Sequence, residues 1–397
     1  MENIIFSIAI VLFVSILVSN LIIKKINIPS FLIFLVLGIC LGPYCFNILN
    51  VELIELNQEI ATFAIVILII RAGFGVNRDS IRKVGRPAIG MSFIPAVFEG
   101  ISLALISHYF LNIPLLEAGL LGFAVAAVSP AILVPGMLNL IEKGLGVAKG
   151  IPTLLLAGSA TDDVTAITIF SIFLGIYTGS NVDIFWEICG IPISLILGIL
   201  SGVLAGGLLI LLFKKLELTT VQKLLLTLAV GIFLDSLNEL LSGRVPIAGL
   251  VGVMLIGFLI MDQMPKVGNE LSKSYNGLWY FAEIILFVLL GAQVNIPLVT
   301  TLIVPGIVII TLGLLFRSLG VYISLLNTNF NNKEKLFCMV SFIPKATVPA
   351  ALGSIPLAYG IPSGEIILAI SCISIVYAAP LGAILMNTTQ EKLLSYD

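Results

Sequence analysis

Two short segments decide the predicted fold: SPAILVP at residues 129–135 and PKATVP at residues 344–349. Each lies inside a long apolar stretch and contains two prolines. Proline removes a backbone hydrogen bond from a helix, and the polar groups that it frees in a membrane must face protein or a water-filled cavity. Interrupted helices at matching positions of two halves indicate the midplane binding site of a transporter.

The composition excludes a soluble protein. Of 397 residues, 59% are hydrophobic and only 11% are charged, whereas about 25% are charged in an average soluble domain. A helix needs about 20 apolar residues to cross a bilayer, and such stretches follow one another along almost the whole chain. The basic residues are spread over loops, so nothing indicates nucleic-acid binding. We therefore predict an all-α polytopic protein embedded in the lipid bilayer.

Hydropathy windows of about 20 residues predict about thirteen transmembrane helices. Their predicted bounds are 3–23, 28–46, 57–74, 87–110, 115–141, 150–176, 184–213, 221–241, 246–262, 276–294, 302–326, 335–355 and 364–386. Thirteen helices divide into six, one linker helix at 184–213, and six. The two halves then enter the membrane from opposite sides, which is an inverted repeat.

The distribution of positive charge predicts the orientation. Sixteen of the twenty Lys and Arg residues lie in loops after odd-numbered predicted helices, and the intervening loops hold only Arg244. Because the positively charged loops of membrane proteins face the cytoplasm, we expect the N-terminus outside and the C-terminus inside. We also expect a multi-pass protein of the cell membrane.

Two adjacent carboxylates, Asp162 and Asp163, lie within the helix predicted at 150–176. At about 1.5 Å per residue they lie roughly 18–20 Å from its start, close to the middle of the bilayer. Burial favours the protonated form of a carboxylate and a nearby cation favours the ionised form. An aspartate at this depth can therefore hold either a proton or a metal ion, and competition between the two is the simplest chemistry of exchange.

Oxygen-bearing side chains are available to complete a cation site. Hard cations prefer oxygen ligands, and Ser159 lies one helical turn before Asp163 on the same face. Ser129 and Thr347 lie in the two interrupted segments, together with freed backbone carbonyls. We predict a site formed by Asp163, Asp162, Ser159, Ser129 and Thr347.

Three further charges are predicted at similar depth: Glu99, Arg317 and Lys345. A charge at the centre of a membrane helix costs at least about 2.5 kcal/mol and is usually functional or paired. Glu99 and Arg317 occupy the fourth helix of each half, so we predict a salt bridge between them. Lys345, and Arg317 with it, are the candidates for neutralising Asp162 when no ion is bound.

These motifs resemble the monovalent cation:proton antiporter superfamily, and within it sodium/hydrogen exchanger subfamily B. The resemblance is carried by AVSPA at 127–131, by GS at 158–159 followed by Asp162 and Asp163, and by PKATV at 344–348. RAG at 71–73, IPTLL at 151–155 and GAQV at 291–294 are also similar. The resemblance thus extends from the third to the twelfth predicted helix.

The resemblance implies a homodimeric transporter without a cofactor that exchanges Na⁺ or Li⁺ for H⁺. A core domain at 87–176 and 302–386, with two crossed broken helices, would move like an elevator against a dimerisation scaffold at 1–86 and 221–294. Asp163 matches the family's main ion-binding aspartate, Asp162 its neighbour, and Ser159 the hydroxyl one turn earlier. Arg317 matches a basic residue on the corresponding core helix.

Three alternatives stay open at this point. The first is a K⁺/H⁺ antiporter, because selectivity depends on the size of the ligand shell and on backbone carbonyls. The second is a sodium-coupled symporter for an organic anion, although no set of side chains for such a substrate is evident. The third, an intramembrane aspartyl protease, requires two aspartates facing one another, and consecutive residues on one helix fit that requirement poorly.

Overall fold

The structure is a computed structural model that describes residues 4–23, 30–76, 78–178, 184–240 and 247–396. Within these ranges the regular secondary structure is helical, and the one β-type contact is an isolated antiparallel bridge between Leu145 and Tyr396. The basic residues Lys24, Lys25 and Arg244, used above to predict orientation, lie outside the described residues.

The described chain forms helices of very different length, from full membrane spans to single turns. They are α1 Ile4–Ile23, α2 Ser30–Leu41, α3 Val51–Glu55, α4 Asn57–Gly75, α5 Arg78–Leu111, α6 Leu115–Val125, α7 Pro130–Lys143, α8 Ile151–Tyr177, α9 Ile184–Lys215, α10 Thr220–Leu240, α11 Gly249–Gln263, α12 Pro265–Ala292, α13 Ile296–Ser324, α14 Asn332–Ser341, α15 Thr347–Leu352, α16 Ile355–Ala358 and α17 Gly364–Leu393.

Nine segments within the described residues are long and apolar enough to cross a membrane. Shorter apolar helices, such as Ser30–Leu41 and Gly249–Gln263, accompany them. The predicted all-α polytopic fold is confirmed, and the count of thirteen spans stays a prediction.

Several predicted helix bounds are wrong where the helix is polar at its end. α5 begins at Arg78 instead of residue 87, and α12 begins at Pro265 instead of residue 276. Lys and Arg are good helix formers, but a hydropathy window detects only the apolar part of a helix. The predicted division between residues 86 and 87 therefore falls inside α5. α2 ends at Leu41 instead of residue 46, because Gly42 and Pro43 follow it.

The two proline-containing segments are true interruptions. The predicted helix at 115–141 is divided into α6 and α7, with Ser129 in extended conformation and Pro130 as the first residue of α7. Proline is favoured there because it has no N–H to satisfy. The predicted helix at 335–355 is likewise divided into α14 and α15, and Ala346 between them has a φ of −155° and a ψ of −78°.

The helices pack in two groups. In one, α5 packs along α13, α8 and α6, and α17 packs against α13 and α14. In the other, α11 packs against α9 and α4, and α12 packs against α2 and α4. Glycines allow close crossings in the second group, since a Cβ added to Gly73 on α4 would lie 2.1 Å from the Met254 carbonyl oxygen on α11. The groups meet where α4 contacts α7 and where α8 contacts α9 and α11.

Candidate functional site

The site lies where the two interruptions cross. The Ser129 N–H donates to the Pro344 carbonyl at 2.9 Å, which joins the two breaks directly. The preceding N–H, of Val128, donates to Asp162 Oδ2 at 2.8 Å. We call the interruption between α6 and α7 the first break and that between α14 and α15 the second break. Two N–H groups that the first break leaves outside a helix are thus satisfied, one by a carbonyl of the second break and one by a carboxylate on α8, as a membrane interior requires.

Arg317, on α13, uses its guanidinium to connect four elements. Nη2 donates to Asp162 Oδ2 at 2.6 Å and Nη1 donates to Glu99 Oε2 at 2.7 Å. Nη1 also donates to the Ala126 carbonyl of the first break, and Nε donates to the Phe342 carbonyl at 2.6 Å beside the second. The side chain is only 1% exposed. The planar array of five N–H donors suits arginine to such a position.

Lys345, in the second break, is fully buried and donates to Glu99 Oε2 at 2.5 Å. It also donates to the Ala127 carbonyl of the first break at 3.1 Å. Glu99 Oε2 therefore accepts from both Arg317 and Lys345. The predicted contact between Glu99 and Arg317 is present, and Arg317 rather than Lys345 makes the hydrogen bond to Asp162. We call Glu99, Asp162, Arg317 and Lys345 the ion-pair cluster.

A second set of polar atoms beside this cluster lacks hydrogen-bond partners. Among the described residues eight buried side-chain oxygens have no partner, and one of them is Glu99 Oε1 of the cluster itself. Four others belong to residues that the sequence predicted as cation ligands. These oxygens, which we call the oxygen group, are Ser129 Oγ, Asp162 Oδ1, Asp163 Oδ1 and Thr347 Oγ1. An unsatisfied buried polar atom is costly and rare in proteins. A cation, a proton on a carboxylate or a water molecule would satisfy these atoms.

Ser159 is engaged within its own helix. Its hydroxyl donates to the Leu156 carbonyl at 3.1 Å and is buried. It lies one turn before Asp163, and a hydroxyl that donates one hydrogen bond still has lone pairs with which to accept. The structure thus leaves Ser159 able to act as a ligand without making it one of the unsatisfied oxygens.

The charges at the crossing do not balance. Three buried carboxylates, Glu99, Asp162 and Asp163, face two buried basic groups, Arg317 and Lys345. The two basic groups and Asp162 all act electrostatically on Asp163. With every group ionised, one negative charge is uncompensated, and a buried uncompensated charge is strongly unfavourable.

Sequence reasoning missed a polar seam between α8 and α5. Thr161 Oγ1 donates to Ser92 Oγ at 2.5 Å, and Thr165 Oγ1 donates to the Ser92 carbonyl at 2.9 Å. The two threonines lie four residues apart, and therefore on one helix face, on either side of the two aspartates. That spacing was a usable signal, and the seam fixes α8 against the helix that carries Glu99.

Known proteins resemble this chain in sequence and in fold. A family model described as "Sodium/hydrogen exchanger, transmembrane" matches residues 8–387. The chain belongs to the sodium/hydrogen exchanger family. This membership confirms the family predicted from the motifs and, with the apolar helices, shows a multi-pass membrane protein.

Relatives of this sodium/hydrogen exchanger chain carry the names of exchangers, not of enzymes, which removes the protease alternative. Sodium/hydrogen exchanger 9B2 of Mus musculus is 32% identical over 314 residues, covering 78% of this chain and 56% of the relative. Sodium/hydrogen exchanger 9B1 of Homo sapiens is 32% identical over 305 residues, covering 76% and 58%. The chain spans just over half the length of the curated relatives it matches.

A solved structure has the same fold as this family member. The sodium proton antiporter MjNhaP1 from Methanocaldococcus jannaschii, at pH 8, superposes with a TM-score of 0.78 over 98% of each chain. Its sequence is 21% identical. The predicted all-helical membrane fold is therefore confirmed, while the inverted relation between the two halves stays a prediction.

Proposed function

We propose that this protein exchanges a monovalent cation, Na⁺ first, for protons, and that the two compete for Asp163. The charge imbalance at the crossing carries the proposal. One monovalent cation or one proton removes the single uncompensated negative charge, whereas binding both would leave an excess positive charge in a buried site, which is costly. Mutually exclusive occupancy of one site is what coupled exchange requires.

Asp163 is the preferred carboxylate because Asp162 is already engaged. Asp162 Oδ2 accepts from both Val128 and Arg317, and its remaining oxygen belongs to the oxygen group. We infer that Asp163 supplies the main ligand and that Asp162 Oδ1, Ser129, Thr347 and Ser159 complete the shell, since hard cations take several oxygen ligands.

The choice of Na⁺ over Li⁺ or K⁺ rests on the names of the relatives, which are called sodium/hydrogen exchangers. The charge count supports the exchange of one cation for one proton. An imposed membrane potential should then leave the exchange rate unchanged.

We further propose that the two packing groups move relative to one another. The group containing α5–α8 and α13–α17 would be the transport core, because it holds Asp163 and both broken helices. The group containing α1–α4 and α10–α12 would be the scaffold through which two copies form a homodimer in the cell membrane. α9, which packs against α11 and contacts α8, would link this scaffold to the core.

The deciding experiment uses proteoliposomes that contain a pH-sensitive dye. Addition of Na⁺, Li⁺ or K⁺ is expected to drive proton flux with the wild type and not with Asp163→Asn. Asp262→Asn, which removes an exposed carboxylate at the end of α11, is the matched control and should transport normally. Wild-type protein that moves no protons with any of the three cations would contradict the proposal and favour sodium-coupled symport.

A further inference from the structure

Lys149 and Glu334 form an ion pair on the face predicted to be cytoplasmic, far from the midplane site. Lys149 Nζ lies 2.8 Å from Glu334 Oε1 and 2.9 Å from Oε2. The Glu334 side chain is only 3% exposed and that of Lys149 is 41% exposed. Exposed ion pairs contribute little to stability, but here one partner is buried between helices.

Each partner lies at the start of a helix that leads to the site. Lys149 precedes Gly150, which has a φ of +74° and ends the loop before α8, and α8 carries Asp162 and Asp163. Glu334 lies in the first turn of α14, whose far end leads to Phe342 and Pro344. Since a helix behaves as a rod that rises 1.5 Å per residue, a shift at its start is transmitted along its length.

Glu334 performs a second task at the same place. Its Oε2 accepts from the Asn331 N–H at 2.8 Å, while its own N–H donates to Asn331 Oδ1 at 2.9 Å. This capping box fixes the carboxylate relative to the α14 axis. Because the Glu334 carboxylate is fixed on α14, the Lys149 ammonium that binds it is also held at a fixed position relative to the α14 axis.

The same loop is also held by the end of α17. The Gly146 N–H donates to the Ser395 carbonyl at 3.0 Å, and Leu145 forms its isolated bridge with Tyr396. The loop between α7 and α8 thus contacts the second half of the chain at two points, one ionic and one through the backbone.

We infer that Lys149 and Glu334 are a positioning pair that sets the distance between α8 and α14, and thereby the geometry of the cation site. The inference rests on the proposed function, because it assigns a role in cation affinity. α8 supplies the two carboxylates, and the segment after α14 supplies Thr347 and the Pro344 carbonyl that accepts from Ser129, so the two sides of the site are held together where their helices begin.

The test distinguishes the effect of losing the ion pair from the effect of losing the capping box of α14. Glu334→Gln removes the charge and keeps a side chain that can still close the capping box, and Lys149→Met removes the other charge and keeps the apolar stem. Each is expected to raise KM for the transported cation severalfold, less than the roughly tenfold or more that removing a group in contact with a metal ligand costs. The maximal rate should change less.

A double-mutant cycle supplies the decisive readout. The double variant Lys149→Met with Glu334→Gln is expected to have the same KM as either single variant. Lys149→Arg keeps the charge and is expected to behave as the wild type. The charge exchange Lys149→Glu with Glu334→Lys is expected to recover part of the affinity for the cation. Lys143→Met, at an exposed position of the same face, is the control. Monodispersity of each variant, and the shift in Tm on addition of the cation, show that the protein is folded and report affinity independently of transport.

Additive effects in the double variant, or an unchanged KM in Lys149→Met, would overturn the inference. This failure differs from failure of the proposed function, which would show as exchange that survives Asp163→Asn.

Discussion

The ion-pair cluster and the oxygen group lie side by side at the crossing, and they differ in hydrogen bonding. In the cluster, the N–H groups of Arg317 and Lys345 reach two carboxylates and three backbone carbonyls. In the oxygen group, four oxygens have no hydrogen-bond partner within the described residues. In the first region only Glu99 Oε1 among the carboxylate oxygens outside the oxygen group lacks a partner within the described residues, whereas all four oxygens of the second region need a partner from outside it.

One side chain belongs to both regions. Asp162 contributes Oδ2 to the cluster and Oδ1 to the oxygen group. Its neighbour Asp163 contributes only to the oxygen group. Consecutive residues on one helix thus differ in their contact with Arg317, because their side chains point about 100° apart.

Replacing Asp163 and Asp162 in turn is expected to have the largest effect on transport. These two variants also test most directly whether the ion-pair cluster and the oxygen group have separate roles. Asp163→Asn should abolish exchange while keeping or raising thermal stability, since it removes the uncompensated charge. Asp162→Asn should reduce both transport and stability, because it weakens the contact with Arg317. Proton flux in proteoliposomes and Tm in detergent measure the two effects. Equal losses of Tm in both variants would remove the distinction between the regions.

Arg317→Met is expected to cause the largest loss of stability. It leaves Glu99 and Asp162 buried with fewer partners, and breaking a buried ion pair costs about 3–5 kcal/mol. Thermal unfolding followed by size-exclusion chromatography measures the effect, with Lys266→Met, at an exposed position on α12, as the control. A Tm within the range of that control would show that the cluster does not support the fold.

Thr347→Val is expected to weaken cation binding and to leave thermal stability nearly unchanged, the reverse of Arg317→Met. Valine keeps the shape of threonine and removes one oxygen of the oxygen group, so KM for the cation should rise roughly tenfold, in line with the loss of a metal-site group, with little change in Tm. Thr347→Ser keeps the hydroxyl and should bind nearly as the wild type does. If valine and serine give the same KM, Thr347 is not a ligand.

The smallest expected effect concerns the seam that supports both regions. Thr161→Val removes the hydrogen bond to Ser92 and should cost about 0.5–1 kcal/mol, as single hydrogen bonds do in membrane proteins. Exchange should persist with slightly altered affinity. Thr161→Ser is the control, and a complete loss of exchange in the valine variant would place Thr161 within the oxygen group.

Much of this arrangement could be predicted from local sequence. Pro130 and Pro344 lie at the two breaks, where proline cannot continue the hydrogen-bond ladder of a helix. Proline alone does not decide a break, because Pro135 lies inside α7 and Pro349 inside α15; the signal is a pair of prolines at matching positions of the two halves. The placement of Asp162 and Asp163 inside a long helix is confirmed by α8, while their depth in the membrane stays a prediction. The helix starts at Arg78 and Pro265 could not be predicted in this way, because hydropathy does not detect the polar, helical ends of spans.

The sequence by itself determined the class of the protein, the two interruptions and the side chains that could hold a cation, because hydropathy, proline and charge act locally. Only the tertiary structure decided the partners: that Arg317 contacts Asp162, that Lys345 contacts Glu99, that Lys149 contacts Glu334, and that the oxygen group has no hydrogen-bond partner within the described residues. Partner choice depends on which helices cross and at what angle, and those crossings join residues up to 246 positions apart.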